Sequence, residues 1–253
     1  MRVFALHSIK GGVGKTASAV NLAYLSSLDG SRTLLWDLDP QAAATFYLRL
    51  RPKVGARVRR LVGGAVPVSE LIRETDYPGL DLIPGDFRYR KLDRALDRVK
   101  RPAGRIATLL QPLAEEYDHL FLDCPPNITR LTDAVLVAAD VLLVPNIPTT
   151  LSLRTLDLLR GHLRERRRKP RVAAFFTMVD RRKRLHRETV EDTVGTDPDF
   201  LSVAVPYASE VERMGIHREP LAVTAPWSRA ALAYAELWRE IRRLSAAPAA
   251  PRM

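Results

Sequence analysis

The sequence predicts an α/β protein with a doubly wound, mostly parallel sheet flanked by helices. Apolar runs of strand length alternate along the chain with longer segments of helical periodicity. Several of these runs are apolar throughout, which is typical of strands covered on both faces and therefore of a parallel sheet. The chain has 253 residues, 46% of them hydrophobic, which suits one domain with a substantial core.

Seven strands and five long helices are predicted from these patterns. The strands cover residues 3–7, 33–37, 80–84, 119–123, 141–145, 172–178 and 201–205. The helices cover residues 15–28, 106–116, 151–167, 188–194 and 230–244. We expect a single domain over residues 1–245, a basic loop or short helices at 49–66, and a disordered tail rich in alanine and proline at 246–253.

The composition excludes several classes of protein. No apolar run approaches the roughly 18 residues that cross a bilayer, and the glycine loop follows too early for a removable signal peptide. The single cysteine, Cys124, excludes an internal disulfide and a paired-cysteine metal site, and it fits a reducing compartment. We therefore expect a cytoplasmic protein. The five histidines have no ligand spacing, so we expect no zinc site.

A glycine-rich loop joins the first predicted strand to the first predicted helix. It reads Lys10-Gly11-Gly12-Val13-Gly14-Lys15-Thr16 and is followed by Ala17. Glycines let backbone N–H groups wrap closely around a phosphate, and the helix adds its positive N-terminal end. Lys15 is expected to reach the β- and γ-phosphates, and Thr16 to bind Mg²⁺. The alternative is a glycine turn without a ligand, but the spacing, the strand and the helix all match a phosphate-binding P-loop.

Three acidic residues follow apolar strands, at the sheet edge where open α/β proteins gather their ligands. Asp37 and Asp39 lie in the segment 37–41, and Asp123 ends the strand before Cys124-Pro125-Pro126. A carboxylate at such a strand end is typical of a magnesium site beside a P-loop. Each residue could instead cap a helix or a turn, but three together behind a P-loop favour the magnesium site.

The lysine at the start of the loop, Lys10, resembles the deviant Walker A signature KGGxGK[ST] of the ParA/MinD family of P-loop ATPases. Residues 37–41 resemble the family's DxDPQ motif, residues 122–126 resemble its hhDxPP stretch, and the likeness spans residues 1–244. The resemblance implies ATP and Mg²⁺ as ligands, with Lys10 reaching the nucleotide of a second subunit. It also implies that Asp39 orients the attacking water, and that Asp37 and Asp123 lie near the magnesium.

Weaker matches lie late in the chain. Residues 177–180 and 205–206 resemble the family region around the adenine, which makes Met178 and Pro206 the expected base contacts. No guanine-reading motif is visible, so ATP is expected and not GTP. The sequence resembles the short, chromosomal ParA type without an N-terminal helix-turn-helix extension. It departs from the family at Tyr207, where many relatives carry arginine, and at Ala17, where a second threonine is usual.

A net charge of +11 predicts a polyanionic partner, either nucleic acid or an anionic membrane. Basic runs lie at 166–169 and 181–184, and another basic cluster lies at 49–60. The alternative is an ordinary solvated surface. ParA-family dimers bind DNA non-specifically when ATP is present, and this resemblance favours DNA. The residues expected to contact it are Arg229 and the run Arg181, Arg182, Lys183 and Arg184.

The leading hypothesis is an ATPase that forms a homodimer on ATP, binds DNA non-specifically and releases it after hydrolysis. Such a nucleoid-associated cycle would partition DNA or position another cargo, and the family implies slow hydrolysis stimulated by a ParB-like partner. The rival hypothesis is a MinD-like membrane-cycling ATPase, in which the apolar side of helix 230–244 binds lipid. That side is more often core-facing, so no stable membrane anchor is expected. A third hypothesis is an ATP-dependent carboxylate-activating synthetase, for which the sequence has no substrate motif.

Overall fold

The computed structural model describes residues 1–51 and 58–246, apart from the side chain of Ala246. Its eight strands are β1 (Arg2–Leu6), β2 (Thr33–Asp37), β3 (Arg73–Glu74), β4 (Leu80–Ile83), β5 (His119–Asp123), β6 (Val141–Asn146), β7 (Arg171–Val179) and β8 (Phe200–Pro206). They form one sheet in the order β3-β4-β2-β5-β1-β6-β7-β8. Every neighbouring pair is parallel except β3 and β4.

Helices connect the strands and cover both faces of the sheet. They are α1 (Lys15–Leu28), α2 (Ala43–Tyr47), α3 (Val58–Gly63), α4 (Leu92–Leu96), α5 (Arg105–Leu110), α6 (Arg130–Ala138), α7 (Thr150–Arg164), α8 (Arg184–Thr196), α9 (Ser209–His217), α10 (Leu221–Thr224) and α11 (Arg229–Ala246). Short 3-10 helices lie at Val68–Leu71, Phe87–Lys91, Pro102–Gly104 and Gln111–Leu113. The predicted doubly wound, mostly parallel fold is confirmed.

Three predicted helices need correction. The helix predicted at 151–167 ends at Arg164. The helix predicted at 106–116 ends at Leu110 and gives way to a 3-10 turn, because Pro112 has no N–H to continue the α-helical hydrogen bonds. The helix predicted at 188–194 begins earlier, at Arg184, so one residue of the basic run 181–184 lies on α8. The predicted segment 49–66 contains α3, while residues 52–57 lie outside the described part. The predicted tail at 246–253 also lies outside it, except for Ala246, which ends α11.

The strand order places the glycine loop at the centre of the carboxyl edge of the sheet. The chain leaves β1 through α1 to reach β2 on one side, whereas β6, β7 and β8 lie on the other. The ends of β1, β2 and β5 are in register there, since Leu6 pairs with Asp123 and Asp123 pairs with Asp37. Parallel sheets bind ligands at such a topological switch point.

The last helix belongs to the core. Leu237, Trp238 and Ile241 on its apolar side are at most 2% exposed, and the Trp238 ring packs against Phe4 of β1 and Phe121 of β5. The ring N–H of Trp238 donates to Asp29 at 2.8 Å. Within the described ranges, no helix has the length and apolarity needed to cross a membrane.

Candidate nucleotide site

The glycine loop is fixed on one side and open on the other. Gly12 and Gly14 have φ angles of 71° and 81°, a region that glycine adopts without strain. A Cβ atom added at Gly11, Gly12 or Gly14 would meet nothing within 4 Å, so these positions face open space. Val13 is buried, and its carbonyl accepts a 2.9 Å hydrogen bond from the hydroxyl of Thr177 at the end of β7. The loop therefore has a fixed shape and room for a phosphate group.

Lys15 is the buried cation of this loop. The residue opens α1 and is 7% exposed, and its ammonium donates to the Lys10 carbonyl over 3.4 Å. Burial lowers the pKa of Lys15, and the nearby carboxylates of Asp123 and Asp39 partly oppose that shift. Lys10 itself is half-buried at the entrance of the loop. A buried ammonium held only by a long hydrogen bond to a carbonyl suits an anionic ligand.

Asp123 ends β5 beside this loop and is 1% exposed. Neither of its carboxylate oxygens has a donor in hydrogen-bonding geometry. Burial and then the charge of Asp37 raise the pKa of Asp123 well above its usual range, while the neighbouring Thr16 hydroxyl lowers it. An unpaired buried carboxylate beside a threonine hydroxyl has the oxygen donors that a divalent cation prefers. The residues present therefore fit the predicted Mg²⁺.

Asp37 is fully buried at the end of β2, but its carboxylate oxygens already have protein donors. One oxygen accepts hydrogen bonds from the backbone N–H and the hydroxyl of Thr45, at 2.8 and 2.7 Å. The other accepts from the backbone N–H of Asp39 at 3.3 Å. Burial raises the pKa of Asp37 to about 6 against the opposing effect of these hydrogen bonds. Asp37 thus differs from Asp123, whose oxygens have no donor.

Asp39 is the accessible carboxylate of the group. One of its oxygens accepts from the Gln41 backbone N–H at 2.9 Å, and its own carbonyl accepts from the Ala42 N–H at 2.9 Å. Ala42 has a φ of 53°, which is uncommon for a residue other than glycine. The segment therefore forms a tight turn that keeps Asp39 at the carboxyl edge, half-buried and near Lys15.

Met178 and Pro206 lie at neighbouring strand ends on the same edge. Val179 pairs with Pro206, and the Tyr207 N–H donates to the Val179 carbonyl at 3.1 Å. Met178 has a φ of 54°, so the backbone turns sharply where β7 ends. Because Thr177 of the same strand contacts the glycine loop, these strand ends lie close to that loop. Their contact with a base stays a prediction.

The predicted DNA-binding residues lie on two segments of the carboxyl edge. Residues 181–183 form the turn after β7, and Arg184 begins α8. Arg229 begins α11, whose other end lies at the amino edge, because the Arg2 side chain at the start of β1 donates to the Ser245 carbonyl. Arg229 therefore lies towards the edge that carries the glycine loop.

The two basic runs seen in the sequence are separated by the fold. The run 166–169 follows α7 and precedes Arg171, the first residue of β7, so it lies at the amino edge. Arg166 is also paired there with Asp133 of α6. Only the run 181–184 lies on the side of the glycine loop.

Four residues of this edge escaped prediction. Thr177 holds the loop, Thr45 holds Asp37, and Gly85 donates its N–H to the Thr45 hydroxyl at 2.7 Å. Trp227, two residues before Arg229, is 86% exposed. The exposure of Trp227 could be inferred from the sequence only if the last helix were known to begin at Arg229. Thr45 and Gly85 depend on contacts that form only in the folded chain, and Thr177 lies in the matched segment 177–180, where nothing in the sequence indicated its contact with the loop.

Comparisons with known proteins agree with this architecture. A family model described as an AAA domain matches residues 1–171. The chromosome partitioning protein ParA of Caulobacter vibrioides is 32% identical over 202 residues, which cover 76% of this chain and 75% of that protein. The sporulation initiation inhibitor protein Soj of Bacillus subtilis is 27% identical over 247 residues, covering 95% of this chain and 98% of its own.

Solved structures give the same fold. Cobyrinic acid a,c-diamide synthase of Mycobacterium smegmatis, with a bound ATP analogue and magnesium, has a TM-score of 0.81 and 26% identity over 100% of this chain and 99% of its own. The cell division ATPase MinD of Pyrococcus furiosus has a TM-score of 0.79 over 96% of this chain and 99% of its own. At 19% identity this likeness supports the fold alone. The matched domain and the partitioning relatives identify the chain as a member of the ParA family of P-loop ATPases.

Proposed function

We propose that this chain is a ParA-type ATPase that dimerises on ATP, binds DNA non-specifically and releases it after hydrolysis. The observation that carries the proposal is the pairing of an open glycine loop with a buried, donor-free carboxylate, Asp123. The cycle would partition DNA or position another cargo on the nucleoid. Hydrolysis is expected to be slow, with a ParB-like or other partner stimulating it.

ATP and Mg²⁺ binding is assigned to the glycine loop, including Lys15 and Thr16, and to Asp123 beside it. The loop N–H groups and the N-terminal end of α1 would hold the phosphates, and Lys15 would neutralise their charge. Thr16 and Asp123 would hold Mg²⁺, which supplies charge neutralisation on the phosphate oxygens when bound. In the described ranges no cluster of three or more histidine, cysteine or acidic side chains could hold a metal alone. The cation would therefore depend on the nucleotide for further ligands.

Hydrolysis is assigned to Asp39 and Lys10. Asp39 is accessible on the carboxyl edge and accepts only from its own turn on one oxygen, so a water can approach the other. Lys10 at the loop entrance would reach the nucleotide of the second subunit, which makes hydrolysis depend on dimerisation. Met178 and Pro206 would contact the base, because the strand ends that carry them lie beside the loop.

DNA binding is assigned to the carboxyl edge. Arg229 and the run 181–184 lie on that edge, so a change in the nucleotide site can alter how a dimer presents them to phosphates. The charges of two residues in this run are partly neutralised, because Arg182 pairs with Asp180 and Arg184 pairs with Glu188. The exposed Trp227 adds a ring that can stack on a base.

Two other functions have weaker support. A MinD-like membrane cycle needs a free amphipathic helix, but the apolar side of α11 is buried in the core. A synthetase is suggested by the 26% identity to the diamide synthase, whereas the partitioning protein is 32% identical over three quarters of its length. Assays of lipid sedimentation and of ATP consumption with carboxylate substrates would detect either function.

The test of the proposal is DNA affinity measured with ATP, with ADP and without nucleotide. We expect the ATP state to bind a random duplex at least about fivefold more tightly than the other two, and to lose affinity as salt rises. Equal affinity in all three states would contradict a nucleotide-controlled DNA cycle. Hydrolysis of ATP without any DNA binding would instead favour the other two functions.

A further inference from the structure

The turn that carries Asp39 is closed at both ends by one carboxylate. Asp37 accepts from the Asp39 N–H just after β2 and from Thr45 on α2, so its two oxygens join the start and the end of the turn. The whole carboxylate is buried, which strengthens these hydrogen bonds because water does not compete for the acceptors. Asp39 is therefore positioned by a neighbour two residues away.

Thr45 connects this carboxylate to the next strand of the sheet. Its hydroxyl donates to Asp37 at 2.7 Å and accepts from the Gly85 N–H at 2.7 Å, so donor and acceptor are both used. The side chain is 1% exposed. Gly85 follows β4, the strand beside β2. The hydroxyl thus links α2, the end of β2 and the end of β4 at a single point.

Residue 85 lies so close to Asp37 that any side chain there would have to displace the Asp37 carboxylate. A Cβ atom there would lie 2.7 Å from the carboxylate carbon of Asp37 and 2.9 Å from each oxygen. Such distances would force the Asp37 carboxylate away from Thr45. The close approach of this backbone shields the carboxylate and leaves little space for a metal ion on that side.

We infer that Asp37, Thr45 and Gly85 form a support that positions Asp39, and that the Asp37 carboxylate is not a ligand of the cation. The inference rests on the proposed ATPase function. The cation is assigned to Asp123 and Thr16, because Asp123 lies beside the Thr16 hydroxyl and has no donor in hydrogen-bonding geometry, whereas Asp37 has three. Thr45 is thus a positioning residue that acts on hydrolysis through Asp39.

The experiment compares Thr45→Val, Thr45→Ser and Asp37→Asn with the wild-type chain in Mg²⁺-dependent ATP hydrolysis. Thr45→Val keeps the side-chain shape but removes the hydroxyl. We expect its kcat to fall about tenfold or more, since a small displacement of a water-orienting group is costly. The KM for ATP and the Mg²⁺ concentration for half-maximal activity should stay within about twofold of wild type. Thr45→Ser restores the hydroxyl and should recover most of the rate.

A matched control for Thr45 is Thr33, which begins strand β2, whereas Asp37 ends it. Thr33 is fully buried and its hydroxyl also makes hydrogen bonds, to Ser26 and to the Ser31 carbonyl, but it lies at the amino edge. Thr33→Val should lose stability while keeping the wild-type kcat. A wild-type kcat for folded Thr45→Val would overturn the inference, as would a fall of the same size in Thr33→Val.

A Mg²⁺ titration, monitored by hydrolysis and separately by the fluorescence of a bound ATP analogue, distinguishes the two roles considered for Asp37. Asp37→Asn should lower kcat and leave the Mg²⁺ midpoint within about twofold of wild type, whereas Asp123→Asn should raise the midpoint about tenfold or more. A tenfold rise in Asp37→Asn would overturn the inference, and this result decides the question if Thr45→Val does not fold. A wild-type chain that hydrolyses no ATP would instead contradict the proposed function itself.

Discussion

The hydroxyl of Thr177, at the end of β7, donates a 2.9 Å hydrogen bond to the carbonyl of Val13 in the middle of the glycine loop. The same hydroxyl lies 3.3 Å from the Asn146 carbonyl at the end of β6. The loop is therefore held by a strand that the chain reaches more than a hundred residues later, and the Asn146 carbonyl of the neighbouring strand lies close to the same hydroxyl. This contact links the phosphate side of the site to the strand ends expected to hold the base.

Replacing Thr177 by valine tests whether this bond sets the shape of the loop. The change leaves the buried Val13 carbonyl without its donor, at a cost of roughly 1–3 kcal/mol. We expect ATP and ADP to bind about tenfold more weakly, because the loop must be reordered before it can hold phosphate. Fluorescent-nucleotide titration measures the effect, and Thr33→Val serves as the control. Unchanged affinity would mean that the loop keeps its shape without Thr177.

A second prediction concerns stability at acidic pH. His7 is fully buried after β1, and burial together with the charge of Lys15 lowers its pKa from 6.5 to about 4. Between these two values the unfolded chain binds a proton at this histidine and the folded chain does not. Stability should therefore be fully present above pH 6.5 and fall as the pH is lowered towards 4, by at most roughly 3 kcal/mol from this group.

Urea unfolding of the wild type and of His7→Leu at pH 7.5 and pH 5 would measure that contribution. The raised pKa of Asp37 acts in the opposite direction, because the folded state then holds a proton that the unfolded chain loses. Comparing the two proteins removes this effect, since it is common to both. We expect the variant to lose less stability than the wild type on acidification. An equal loss of stability in the wild type and in His7→Leu would show that His7 does not cause the acid sensitivity.

Much of the fold was predictable because the central strands are continuous apolar runs. The strands at β2 and β5 were predicted with their observed bounds. The prediction for β1 was displaced by one residue, and those for β7 and β8 were one residue short at each end. Short helices such as α2 and α10 were missed because four or five residues carry too little periodicity. The two-residue strand β3 was missed for the same reason.

Those site residues that come at the ends of strands were predictable from the sequence. Asp37 and Asp123 were placed together because parallel strands share one carboxyl edge, and the register pairs them directly. The role of Thr45 was not predictable, since it arises only when α2 folds back on β2. The separation of the two basic runs could have been predicted, because they flank the predicted strand 172–178 and therefore lie at opposite edges of the sheet.

Lys10 and Lys15 should separate nucleotide binding from dimerisation. Lys15→Ala removes the buried ammonium at the loop and should abolish ATP binding at millimolar nucleotide. Lys10→Ala removes a half-buried side chain at the loop entrance and should keep ATP binding while losing the ATP dimer and hydrolysis. Nucleotide titration and light scattering measure the two steps. If Lys10→Ala dimerised with ATP at the same protein concentration as the wild type, the role assigned to Lys10 would be contradicted.

Asp39→Ala should trap the DNA-bound state. Without the accessible carboxylate the water is not oriented, so hydrolysis should slow about 100-fold or more while ATP still binds. The variant should remain on DNA after the wild type has dissociated, as followed by a filter-binding time course with ATP. Asp97→Ala, which removes an exposed carboxylate paired with Arg130 of α6, should behave as the wild type. Hydrolysis by Asp39→Ala at the normal rate would contradict the role of Asp39.

Trp227 offers a direct measurement of the proposed DNA surface. Trp36 and Trp238 are at most 2% exposed, whereas Trp227 is 86% exposed, so a soluble quencher such as acrylamide reaches mainly Trp227. We expect a DNA duplex to reduce acrylamide quenching when ATP is present, because the ring is then covered by DNA. ADP should give much less protection. Protection by anionic vesicles and none by DNA would favour the membrane cycle.

Two variants of this tryptophan complete the measurement. Trp227→Phe removes the part of the fluorescence that the quencher reaches, leaving that of the buried Trp36 and Trp238. It keeps an aromatic ring, so DNA binding should stay close to that of the wild type. Trp227→Ala removes the ring and should weaken ATP-dependent DNA binding by roughly 1–3 kcal/mol, the contribution of one stacked base. Both should keep ATP hydrolysis, since this exposed side chain has no assigned role in holding the phosphates or the attacking water. Wild-type DNA affinity in Trp227→Ala would leave Arg229 and the run 181–184 as the remaining contacts.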